Sequence, residues 1–157
     1  MSPAPTSGPF PLSPEKGEPT VSLTLSRSVT TWPIARIVAG SFAAGLGLSI
    51  DAVEDFRLAV HEAVGLAAQV DGPDAATAMG NVQVEFAPYE SHTGASGASA
   101  TVTADVVTLA DADTMATLPD RNDFGWLLLS EVSDDATAER IDGRLVIRVA
   151  VSGPEAA

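Results

Sequence analysis

The chain has 157 residues, no cysteine, and a net charge of −13 from 21 acidic against 8 basic side chains. The length suits one domain with a tail, and the lack of cysteine excludes disulfides, thiolate nucleophiles and sulfur-ligated metals. The acidity excludes a nucleic-acid surface or docking on an anionic membrane, both of which need clustered Lys and Arg.

In chain order, Met1 to Pro19 comes first and holds six of the eleven prolines. Such a segment cannot form a helix interior, so residues 1–19 are expected as a flexible tail. It has no basic stretch followed by an apolar run, so no signal peptide is read there. No segment reaches the ~18 continuous apolar residues of a membrane span, and a cytoplasmic location is expected.

The domain is expected over residues 20–152, with 153–157 as a short C-terminal tail. Val21, Leu23 and Leu25 alternate with Ser22, Thr24 and Ser26, the pattern of a half-buried strand. Thr30 or Thr31 can cap a helix opening at Trp32-Pro33. Its apolar spacing is Ile34, Ile37, Val38 and Phe42, and Gly45 and Gly47 end it. Ser49 caps a second helix from Ile50 to about Gln69, with Val53, Phe56, Val60, Ala63, Val64 and Ala67 as its core face. Asp71-Gly72-Pro73-Asp74 stops it.

Val82, Val84 and Phe86 predict a second strand, Pro88 to Ser99 a loop, and Val102, Ala104 and Val106 a third strand. Asp111 to Asp123 has no clear period. Asp123 caps a third helix holding Phe124, Leu127, Leu128 and Val132. Asp142-Gly143 signals a tight hairpin between strands at Thr137–Ile141 and Arg144–Val151. Helices between antiparallel-type strands predict an α/β (α+β) two-layer sandwich, a mixed and mostly antiparallel sheet with helices on one face.

Few residues suggest chemistry on their own. His61 and His92 stand apart from any cluster with ligand spacing, so no metal site is expected and His61 is read as solvent-exposed. No Gly-x-Ser-x-Gly, Walker A or Gly-x-Gly-x-x-Gly sequence is present. Asp134-Asp135 reads as solvated surface. Glu62 lies between Leu58 and Leu66 on one helix face, where a carboxylate is either the polar edge of a cleft or, as is commoner for Glu, a surface charge.

Taken together, three segments resemble the bacterial anti-sigma factor serine kinases, which have the ATP-binding fold of histidine kinases and gyrase. Leu58-Ala59-Val60-His61-Glu62-Ala63-Val64-Gly65-Leu66-Ala67 is similar to their second-helix motif, L-A-V-x-E-A-x-x-N-A. Ala35 to Phe42 resembles their first helix, which carries an Arg at the place of Arg36, and Phe124 to Asp135 resembles their last helix. The resemblance runs from about Val21 to Val151. It implies a histidine-kinase-like ATPase (Bergerat) fold and a homodimer that holds a sigma factor of the stress or sporulation group. An anti-anti-sigma protein of the STAS fold would release it. It implies Glu62 as general base, Gly125 at the nucleotide phosphates and Arg36 in the partner surface, although Arg36 by itself reads equally well as half of a local ion pair.

The departures from the motif are chemical. The family's Mg²⁺-binding Asn falls on Leu66, which offers no oxygen. The adenine-side Asp-x-Gly-x-Gly is missing after the third strand, where Asp105 to Asp113 contains no glycine. Asp123 stands where a phosphate-side glycine would be, and Arg144 replaces a closing Thr. A base without metal or phosphate cradle has little to act on. No cofactor is therefore expected, where the family would take ATP and Mg²⁺. The expectation is an anti-sigma factor with a degenerate nucleotide site. The alternatives are an active serine kinase acting on an anti-anti-sigma factor, and an ATPase-fold regulator of another partner.

Overall fold

A computed structural model describes residues 21–27, 30–68, 81–89, 99–109 and 118–154. The expected tail at 1–19, the turn at Asp71–Asp74, His92 and the stretch after β3 up to residue 117 lie outside them. Eight elements follow in order: β1 (Val21–Ser26), α1 (Trp32–Gly45), α2 (Ile50–Ala68), β2 (Asn81–Tyr89), β3 (Ser99–Leu109), α3 (Phe124–Val132), β4 (Asp135–Ile141) and β5 (Arg144–Pro154).

The strands form one sheet in the order β1-β2-β3-β5-β4. Every pairing is antiparallel, so the mostly antiparallel sheet expected from the sequence has no parallel pair among the described strands. β2 and β3 run further than their apolar alternation suggested, taking Pro88 and Ser99 from the expected loop into the ladder. Asp142 and Gly143 both have positive φ, 52° and 79°, as a two-residue hairpin turn requires.

Period two sorts the sheet into two faces. Leu25, Val82, Val84, Phe86, Val102, Ala104, Val106, Ile147, Val149 and Val151 are buried under the helices. Phe86 meets Phe42 of α1 and Phe56 of α2 at ring-centroid distances of 5.8 and 6.0 Å. Gly153 admits α2 closely, since a methyl group there would lie 2.6 Å from the Ala52 Cβ. On the opposite face Asp105 and Arg148 stand directly across from each other in the β3–β5 register. They form a two-point ion pair of 2.6 Å (Nε to Oδ1) and 3.0 Å (Nη2 to Oδ2). Asp105 therefore has its carboxylate on the face away from the described helices, tied to Arg148.

Two helix faces differ from the expectation. The buried side of α1 is Ala35, Ala39, Gly40 and Ala43, while Ile34 and Ile37 are 46 % and 62 % exposed. The buried side of α3 is Gly125, Trp126 and Leu129, while Phe124 and Leu127 are 77 % and 54 % exposed. The cause is close approach between helices, where small residues pack best. Gly65 receives the Trp32 ring and Gly40 receives the Arg57 stem. Asp134 is also more than solvated surface, because its carboxylate accepts the Ser152 N–H beside the β4–β5 ladder. No helix among the described residues is long and apolar enough to cross a membrane.

Candidate functional site

The seam between α2 and α3 brings together four of the residues singled out in the sequence, Glu62, Leu66, Asp123 and Gly125. Gly125 is buried in the first turn of α3. A methyl group placed on it would lie 3.0 Å from Glu62 Oε2, 3.2 Å from Asp123 Oδ1 and 3.5 Å from Leu66 Cδ2. Glu62 is thus no free surface charge, as its commoner reading had it. It is half-buried on α2 with its carboxylate against the start of α3.

The entry to α3 is built locally. Asp120 accepts the Asn122 N–H on its side chain and the Asp123 N–H on its carbonyl, both at 2.9 Å. Asp123 then stands extended as the N-cap (φ −62°, ψ 134°) and accepts the Gly125 N–H at 2.8 Å. An N-cap carboxylate satisfies an orphan donor and complements the positive end of the helix. Arg121 closes this entry, its guanidinium 4.5 Å from the centroid of the buried Trp126 ring. Asp123→Ala is expected to lower stability by about 1 kcal/mol while Asp123→Asn keeps most of it. Urea unfolding of the two variants checks this, and equal stability of Asp123→Ala and the parent would remove the cap's role.

This donor set can be weighed against Mg-triphosphate, the group the sequence resemblance implies. A helix N-terminus binds phosphate through free N–H groups, but here the Gly125 N–H is engaged by Asp123. Mg²⁺ requires oxygen ligands, and the position that should supply one is the buried isobutyl group of Leu66. Two carboxylates at the same point repel the polyanion. The residues present do not fit that group.

Arg36 lies elsewhere, on α1, and no hydrogen bond or ion pair among the described residues links it to Glu62. It forms no ion pair among the described residues, so its reading as half of a local pair is not what the structure has. His61 is half-buried rather than exposed, with its ring edge-on to Trp32 at 6.4 Å between centroids. The sequence reading overlooked Trp32 and Arg57 beside it. Their signal was the paired glycines, Gly65 and Gly40, that make room for them.

No family model matches the chain, and no curated protein matches it in sequence. Its fold is similar to the crystal structure of the RsbU and RsbW domains of Rv1364c from Mycobacterium tuberculosis, with a TM-score of 0.54 and 18 % identity. The likeness takes in 88 % of this chain and 34 % of that one, so this chain spans about a third of that protein's length. It bears out the expected two-layer arrangement, a mostly antiparallel sheet with helices on one face.

Proposed function

We propose that this chain is an anti-sigma factor that works by protein binding, on an ATPase scaffold whose nucleotide site has been converted to other use. The carrying observation is the convergence of Glu62, Asp123 and Leu66 on Gly125. It leaves a helix N-terminus already capped from within, where a kinase needs an open one. The similarity in fold to a structure with an RsbW domain supports the class of partner. On this reading the partners are a sigma factor and a competing anti-anti-sigma protein of the STAS fold. The chain acts as a homodimer in the cytoplasm, and Arg36 lies in the docking surface. Glu62 keeps the family's general-base position without a reaction to serve.

Calorimetric titration of the purified chain with Mg-ATP is expected to show no saturable heat up to millimolar nucleotide. A micromolar Kd, with phosphate transferred to a STAS protein, would overturn the reading in favour of an active serine kinase. Leu66→Asn on its own is expected to leave the titration flat, because the Asp123 cap remains. Co-purification from lysate with a sigma factor is the expected partner result, and capture of an unrelated regulator instead of it would sink the partner assignment.

A further inference from the structure

The sheet face turned away from the described helices is buried, although no described helix lies over it. Val107 and Val146 are cross-strand neighbours there, and Glu85, Asp105 and Arg148 form the adjoining row. Val107, Val146, Asp105, Glu85, Ala87 and Thr103 are all at most 8 % exposed. Among the described residues, the partly buried apolar side chain packed on Val107 and Val146 is Ile141 of the same sheet. Side chains of one sheet face stand side by side, and a sheet face is buried by a second layer. The cover therefore comes from chain outside the described residues.

Reach and charge decide which stretch supplies it. Residues 90–98 join β2 to β3 beside Ser99, and Val107 lies eight positions further along β3. That is about 26 Å at ~3.3 Å per residue, whereas nine residues going out and back reach about 15 Å. Those nine also hold no apolar side chain larger than Ala. Residues 69–80 and 110–117 carry only acids among their charged groups, Asp71, Asp74, Asp111 and Asp113. The row beside Val107 already has two acids to one base. Residues 1–20 differ, because they hold the one lysine of the chain, Lys16, and the apolar side chains of Phe10 and Leu12. They join β1 at Val21, next to Ser22, which is the cross-strand neighbour of Glu85. Leu12 stands nine positions before Val21, about 30 Å of extended chain. The crossing from β1 to β5 is three strand spacings, about 14 Å.

We propose that residues 9–16 cross this face, with Phe10 and Leu12 on Val107 and Val146 and the Lys16 ammonium at the Glu85–Asp105–Arg148 row. Pro9, Pro11 and Pro14 favour an extended segment without ladder donors. Such a segment suits lying over a sheet face better than adding a strand to its edge. Fixed proline φ angles also lower the cost of ordering it. Successive side chains of extended chain diverge, which leaves Glu15 toward solvent when Lys16 faces the sheet. The outer face is thus an interaction surface whose occupant is the chain's own N-terminal segment. The proposal goes beyond the functional reading and uses neither its nucleotide site nor its partners.

The lack of native cysteine allows a single nitroxide label at Ser13→Cys. In methyl NMR of the full chain, the label is expected to broaden the Val107 and Val146 signals beyond detection. The signals of Ile37 and Ile50, exposed on the helix layer, are expected to remain. When NMR-silent labelled chains are mixed with isotope-enriched unlabelled chains, Val107 and Val146 are expected to stay visible. Lys16→Glu, and separately Phe10→Ser with Leu12→Ser, are each expected to return at least half of the lost Val146 intensity. Both variants change only residues before β1, and the remaining methyl signals report that the domain stays folded. Val107 and Val146 signals that persist in the labelled chain would overturn the proposal. So would their loss in the mixed sample, which would seat a second copy's segment on the face, or an undiminished loss in both variants.

Discussion

Replacing Arg148 by Met is expected to destabilise the protein by about 3 kcal/mol, because it removes the two-point partner of the buried Asp105 carboxylate. Asp105 is fully buried, and Arg148 keeps 26 % of its side-chain surface. Breaking a buried pair from one side costs more than the pair contributes, since the remaining charge stays desolvated. The partial exposure of Arg148 places the figure at the low end of that range. Asp105→Leu combined with Arg148→Met is expected to recover most of the loss, because both halves of the pair are then removed together. Urea unfolding of the two single variants and the double variant closes the cycle. Additive losses in the double variant would show that the pair is not coupled. The pH dependence has a definite sign. The hydrogen bond to Asp105 raises the Arg148 pKa, against desolvation that lowers it, with Glu139 and Asp135 adding to the rise. A raised guanidinium contributes stability that is complete below its unfolded value and lost only in strong alkali. The Arg148 penalty is therefore expected to be the same at neutral and mildly alkaline pH.

This pair also shows where reading the chain alone stops. Arg148 was legible as a residue on the outer side of the last strand, since Leu145, Ile147 and Val149 alternate with it. Its partner was not, because Asp105 lies 43 positions away and is chosen by the β3–β5 register. The strands themselves were legible because alternation is a local property. The helix faces of α1 and α3 were not. Apolar periodicity favours large side chains, so Ile34, Ile37, Phe124 and Leu127 drew attention that belonged to Ala35, Ala39, Gly125 and Trp126. Where helices approach closely the small residues face inward, and the large ones are left for solvent or a partner. Glu62 shows the same division. Its presence on a mostly apolar helix was evident, but its position against Gly125 depends on how α3 returns to α2 after the sheet has turned. The unpaired state of Arg36 is likewise a property of packing, since composition in a chain with so many acids would have supplied it a partner.

Gly153→Val is expected to cost about 3 kcal/mol, the upper end of what overpacking does. A Cβ at this position would meet the Ala52 Cβ at 2.6 Å and the α2 backbone at 4.0 Å. Neither atom is the end of a flexible side chain, so the strain passes to α2 as a whole. That helix spans ~1.5 Å per residue, and it carries Ala52 near one end and His61 and Glu62 in its second half. A displacement at Gly153 is therefore transmitted to the packing of α2 against both α1 and α3. Gly45→Ala provides the contrast. A methyl group added at Gly45 would have nothing within 4 Å, and this residue ends α1 without a positive φ. That change is expected to stabilise by about 0.5 kcal/mol, through lost freedom of the unfolded chain. Thermal unfolding separates the two, and the Trp32 and Trp126 indole N–H signals in ¹⁵N NMR report what α2 does. If α2 moves as a rigid body, both signals shift in Gly153→Val and neither does in Gly45→Ala. A shift at only one of them would mean that α2 bends between its sheet contact and its helix contacts. Glu62 against Gly125 and His61 against Trp32 would then be positioned independently, although one helix carries both.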